Sequence, residues 1–294
     1  MIKNNKRKLS WERDDFERLL GFTGGRYMKV GALSSGVVAG FFSVVFYATL
    51  LYVPSCAFRS ALMERGWTPY AVVFLGFWTF FILWIKTRKI KLQRQALAAS
   101  ILPDDPEFVL TVKTVDAVAL KITEIADNPK SFLLYRRVLQ TLSNLRNLGR
   151  VSDVDALFRS QAEQDDNTTE SSYALVSGFL WAIPILGFIG TVVGLSSAIG
   201  NFTGVLTSSS DVSELTPALK EVTAGLSTAF ETTLVALCVA LCLQLYSTFV
   251  RKSEEEFLDD CAEFCAVNIV AKLRLEKDAR NSSDDDSGDD SDDE

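Results

Sequence analysis

"PILGFIGTVVGL", Pro184 to Leu195, breaks an apolar segment with three glycines, Gly187, Gly190 and Gly194, and one hydroxyl, Thr191. Inside a helix glycine is about 1 kcal/mol worse than alanine, so three in so short a stretch point to a use for the missing side chains. In a straight α-helix Gly187, Gly190, Thr191, Gly194 and Ala198 fall along one stripe. Such a stripe lets a neighbouring helix approach to backbone contact. The uncharged run around it, residues 172–200, is long enough to cross a membrane, for which about 20 residues suffice. The stretch therefore predicts a transmembrane helix with a close partner.

A second such stripe is legible downstream. Residues 222–250 form a second long apolar run with one charge, Glu231. Gly225, Ala229, Thr232, Ala236 and Ala240 make its own small stripe, within about 80° of arc at 100° per residue. Two further runs lie nearer the start, 31–53 without any charge and the aromatic-rich 69–85. Basic residues cluster before the first ("KNNKRK"), after the second ("KTRKIKLQRQ") and after the fourth (Arg251, Lys252). By the positive-inside rule both termini and the middle segment are expected in the cytoplasm. The fold class is an all-α membrane protein: four transmembrane helices, a helical cytoplasmic segment and a long cytoplasmic extension of the last helix.

Composition removes other classes. The formal charge of −7 comes from the last fourteen residues, "NSSDDDSGDDSDDE", which hold eight acids and no base. Like-charged runs of this kind read as disordered, and the acidity gives no sign of a nucleic-acid partner. The absence of histidine excludes a His-based triad, a His zinc site and a histidine proton relay. Cys238 and Cys242, and likewise Cys261 and Cys265, are one helical turn apart and are expected to pack rather than bind metal. No nucleophile–base set and no phosphate-cradling loop is present, so neither enzyme chemistry nor a cofactor is expected. The charged residues before the first run do not read as a signal peptide.

The expected organisation has six parts. Residues 1–30 are cytoplasmic, with Trp11, Phe16, Leu19 and Leu20 on one face of an interfacial helix. Residues 31–86 hold the first two spans, and 87–171 a cytoplasmic helical segment. Within that segment Asn128-Pro129 reads as cap and first position of an amphipathic helix ending at Gly149. Residues 172–252 carry the last two spans, 253–280 a helical extension, and 281–294 the acidic tail. One helix is expected from the cap pair Thr216-Pro217 to about residue 275, roughly 90 Å at 1.5 Å per residue.

The last two spans resemble the MotA/TolQ/ExbB proton-channel family. Pro184, Gly187, Gly190-Thr191 and Gly194 stand where the TolQ/ExbB form has P-x-x-G-x-x-G-T-x-x-G. Gly225, Ala229 and Thr233 of "GLSTAFETTLVAL", followed by Tyr246, match its second series. The resemblance covers about residues 174–252. Two spans before the cytoplasmic segment are closer to MotA, and the acid common near the start of the last span in ExbB-type proteins is replaced by Thr228, with Glu231 three residues on. The resemblance implies a homo-oligomeric ring in the cell inner membrane, typically a pentamer. It would enclose a dimer of single-span ExbD/TolR/MotB-like partners that carry the essential aspartate.

On that implication Thr191, Thr233 and Glu231 are candidates for the ion pathway, and Pro184, Gly187, Gly190, Gly194, Gly225, Ala229 and Thr232 for the pore wall. With span ends at Gly200 and Val222, both threonines lie roughly 14–16 Å deep, at the level of Glu231. An ionisable group there costs about 3 kcal/mol or more unless paired, hydrated or protonated. It sits about 160° round the helix from Thr233, so a hydrogen-bonded interhelical contact is its other reading. The expected function is a subunit coupling proton or sodium flow to mechanical work across the envelope. The alternatives are a flagellar-type stator subunit and a non-conducting membrane scaffold that recruits cytosolic proteins through its acidic tail.

Overall fold

The computed structural model describes residues 9–11, 17, 27–54, 57–63, 66–99, 101, 109–111, 114–144, 151–208 and 212–274. Among them the regular elements are all helical: α1 (Ala32–Tyr52), α2 (Ala57–Met63), α3 (Thr68–Leu97), α4 (Val115–Ile125), α5 (Leu133–Asn144), α6 (Val151–Ser172), α7 (Ala174–Ser208) and α8 (Val212–Cys265). A 3₁₀ turn at Pro129–Ser131 precedes α5, and a π-helical turn at Ala266–Val270 ends α8. Four helices are long and apolar enough to cross a membrane. The protein is an all-α, multi-pass membrane protein.

The chain divides into two compact units. The apolar unit is Val30–Ile85 with Tyr173–Val250, and the charged unit is Met1–Lys29, Lys86–Ser172 and Arg251–Glu294. Each cut falls where an apolar run meets a charged or hydroxylic residue, at Lys29, Lys86, Ser172 and Arg251.

In the apolar unit aromatic residues join α1 to α3. The Trp78 ring fits over Gly36, where a Cβ would come within 3.0 Å of it, and its indole N–H donates to Ser35 Oγ at 3.1 Å. Phe46 packs edge-on to Phe77, and Tyr47 lies against Tyr70. Gly76 lets α3 meet Val239 of α8, and Val72, Ile183, Ala236, Ala240 and Leu243 form the shared core of α3, α7 and α8. Trp181, Phe188, Phe230, Leu234, Leu241 and Phe249 point outward. Such an apolar exterior suits lipid or a further protein surface, not water.

The charged unit has a conventional interior. Phe132, Leu134, Tyr135, Val138, Val154 and Phe257 are buried. Short parallel bridges tie in remote segments, Leu9 with Ala126 and Leu110 with Leu273. Trp11, expected on an interfacial face, is instead buried edge-on against Phe132. An indole beside a protein core removes more surface from water than one at a headgroup boundary. Phe16, Leu19, Leu20, Gly149 and the tail 281–294 lie outside the described residues.

Two helix starts differ from expectation. Asn128 makes no side-chain cap, and Pro129 opens only a 3₁₀ turn. Helix α5 begins at Leu133, whose N–H donates to Gln93 Oε1 at 3.0 Å, while Gln93 Nε2 donates to Ser131 O at 3.0 Å. A buried glutamine from α3 thus satisfies a free helix-end donor that a local residue was expected to take. Pro217 likewise lies inside α8, which starts at Val212, before the expected cap pair. As the sixth residue of the helix, past the first turn, it removes one intrahelical N–H donor. The α-helix ends at Cys265, giving a length of about 80 Å.

Candidate ion-path site

The seam between α7 and α8 is built by the two small-residue stripes. Added to Gly187, a Cβ would stand 2.6 Å from Ala236 Cβ and 3.3 Å from Thr233 Cα. At Gly194 it would meet Ala229 Cβ at 3.4 Å, an ordinary contact, and at Gly225 it would overlap Ala198. Gly190 faces Thr232 Oγ1 and Thr68 Oγ1, each 2.9 Å from the position of its absent Cβ. Pro184 lies inside α7 one turn before the first contact. Its ring removes one intrahelical N–H donor and favours a bend.

Across this seam the hydroxyls of Thr191 and Thr233 hydrogen-bond to each other. Thr233 Oγ1 also donates to Gly187 O at 2.9 Å, which a glycine leaves uncovered. Ala229 O lies 3.3 Å from Thr191 Oγ1, 3.3 Å from Thr233 Oγ1 and 2.9 Å from Thr232 Oγ1. Three hydroxyls therefore converge on one carbonyl, which has two lone pairs. Thr191 and Thr233 are partly buried, whereas Thr232 and Ala229 are buried.

Glu231 accepts a hydrogen bond from Ser227 Oγ at 3.1 Å, one turn back on α8. Its position on the helix, about 160° from Thr233, puts it on the other flank from the threonine pair. Cys238 and Cys242, expected to pack, are exposed on α8 because their side of the helix carries the outward ridge of Leu234, Leu237 and Leu241. Cys261 and Cys265 are buried in the charged unit, and burial pushes the Cys265 thiol up to about 12. A thiol so raised is protonated and serves as an apolar filler.

Residues 127–260 match the family model described as the MotA/TolQ/ExbB proton channel family. No curated protein and no solved structure matches the chain. The matched segment contains the whole threonine–glycine seam and reaches further than the motifs, taking in α5, α6 and α8 up to Asp260. Helices α1 to α3 lie outside it. The family is one of channel and energy-transduction subunits.

The charged unit holds a feature that sequence reasoning missed. Lys86 Nζ donates to Glu254 Oε2 at 2.9 Å and to Ser172 Oγ at 2.9 Å, with Lys86 1% and Glu254 0% exposed. Burial pulls the Lys86 pKa down, and the Glu254 carboxylate opposes that shift. Lys89 is paired with buried Glu17 and also donates to Lys29 O at 2.8 Å. Both lysines belong to the basic flank of the second span. A lysine at the end of an apolar run looks the same in sequence whether it reaches water or a buried carboxylate.

Proposed function

We propose that the chain is the multi-span subunit of an ion-driven motor in the cell inner membrane, with its termini in the cytoplasm. It forms a homo-oligomeric ring, a pentamer by family analogy, around a dimer of single-span ExbD/TolR/MotB-like partners. Proton flow, or sodium flow, along the partner's helix turns the two assemblies relative to one another. The observation that carries this reading is the Thr191–Thr233 hydroxyl pair, held across a glycine seam inside the family-matched segment. Partly buried hydroxyls in an otherwise apolar helix pair offer both donors and acceptors to water or a passing proton. They carry no charge, so the titrating carboxylate belongs to the partner.

Glu231 takes a secondary part. It lies on the flank away from the pair, and Ser227 supplies a hydrogen bond that lowers the cost of its carboxyl in the membrane. The glycines and alanines provide the wall that keeps α7 and α8 in register. Four spans favour a flagellar-type arrangement, and the Pro-Gly-Gly-Thr-Gly pattern favours the TolQ/ExbB type.

The test is conductance. In vesicles from cells expressing the chain with its partner, the wild-type complex should dissipate an imposed proton gradient, and Thr233→Val should slow the leak. An equal leak from Thr233→Val would remove the hydroxyls from the path. Glu231→Gln should slow transport less, and unchanged flux would reduce Glu231 to a packing residue. A complex that never leaks would leave the scaffold reading.

A further inference from the structure

We propose that the cavity between α6 and the end of α8 is a binding site for a small monocarboxylate with a short apolar body, held by Arg137. The proposal does not rest on the threonine-pair reading. It assigns a ligand to the charged unit, and the α8 wall of the cavity lies beyond Asp260, outside the matched segment.

The cavity has a volume of about 260 Å³. Its walls are mostly apolar: Phe158 and Ala162 of α6, Ala262 of α8, and Ala266 and Val270 of the π-helical turn. Cys265 also lines it, and a thiol raised to about 12 adds no charge. Apolar walls with a few placed polar groups are the ordinary form of a small-molecule site, for which drug-sized ligands need roughly 300–1,000 Å³. The occupant is therefore small. A π-helical turn on the wall is a further sign, because such single turns recur at functional sites.

The placed polar group is Arg137, which reaches the cavity from α5 and is 3% exposed. Its Nε donates to Asp165 Oδ2 at 2.7 Å, whereas its buried Nη2 has no partner among the described residues. A guanidinium carries five N–H donors, so one carboxylate on Nε leaves room for a second acceptor. A buried donor left unanswered is costly, most of all on a charged group. A carboxylate oxygen is the usual answer, since its geometry matches the guanidinium fork.

The remaining charges narrow the class. On the lining Arg159 pairs with Asp155 at 2.9 Å, and Glu263 is exposed. With Asp165, three acids (Asp155, Asp165 and Glu263) stand against two bases (Arg137 and Arg159), a balance that opposes a multiply charged anion such as phosphate. A single carboxylate offsets it by laying an apolar chain on Phe158 and Val270. Bound there, the ligand joins α5 and α6 to the end of α8.

The experiment is a calorimetric titration of the full chain in lipid nanodiscs with hexanoate. Hexanol and inorganic phosphate are the comparison probes, and the heat of each probe with empty nanodiscs is subtracted. Arg137→Lys keeps a charge beside Asp165 but loses the fork, and Ala162→Leu fills the cavity without touching the Arg137–Asp165 pair. The proposal expects saturable binding of hexanoate, and none of phosphate. Hexanol should bind at least about tenfold more weakly, and hexanoate should lose at least about tenfold in either variant, the effect of one charge-assisted hydrogen bond or more. Absence of saturable hexanoate binding to the wild type overturns it. Hexanol binding as tightly as hexanoate leaves only an apolar cavity, and phosphate binding as tightly leaves only an unselective anion site; both overturn it. Unchanged hexanoate affinity in either variant places the ligand elsewhere and overturns it too. Should Arg137→Lys fail to fold, Ala162→Leu and the hexanol comparison still decide.

Discussion

The two units of the chain solve burial in opposite ways. In the apolar unit buried or half-buried hydroxyls bond mostly to carbonyls of their own helix: Ser43 to Ala39, Thr79 to Leu75, Thr232 to Ala229. In the charged unit full charges are buried and answered from distant segments, Lys86 by Glu254 and Arg137 by Asp165. The difference reflects what surrounds each unit. Where the outside is apolar, a polar group gains nothing by facing outward and is satisfied locally at small cost. Where the outside is water, a buried ion pair has a hydrated alternative, so it persists only with good geometry and further hydrogen bonds. The Thr191–Thr233 pair departs from its own unit's rule, since it joins two helices, and that departure marks it as the candidate site.

The comparison can be broken most forcefully at the ion pair. Glu254→Ala leaves Lys86 buried without its carboxylate and should destabilise the protein by about 3–5 kcal/mol, read as a lower unfolding midpoint in detergent. The double variant Lys86→Met with Glu254→Leu should recover most of that loss. A mild single variant would mean that water reaches the pair. Next comes the glycine seam. Gly187→Ala forces a methyl against Ala236 and the Thr233 backbone and should cost about 1–3 kcal/mol. Here Ala236→Gly should recover part of that loss, because the closest clash is with its methyl while the 3.3 Å approach to Thr233 Cα remains. The smallest effect is expected at Gly194→Ala, where the new Cβ meets Ala229 at 3.4 Å. That change should fall within about 1 kcal/mol of wild type, its packing cost offset by better helix propensity. A large loss there would mean that the seam is tighter than its spacing implies.

Four apolar runs, the small-residue stripes and the family motifs were all legible in sequence, because each depends on local periodicity. The stripes also told which faces of α7 and α8 meet, since a glycine contact leaves little freedom in register. The depth of charge burial was not legible. Lys86 and Glu254 are far apart in the chain, and each taken alone reads as a solvated charge. The helix starts failed for a related reason: Asn128-Pro129 and Thr216-Pro217 are good local caps, but Gln93 comes from another helix and α8 begins at Val212. Thr68 carried no signal beyond its place before a proline.

By itself, then, the chain determined its class, its spans and the two surfaces that face each other, all set by hydrophobic period and residue size within one helix. Only the tertiary structure decided which polar groups share an acceptor and which charges are sealed together. Those outcomes depend on side chains that lie far apart in sequence and whose bonds form only once the helices have packed.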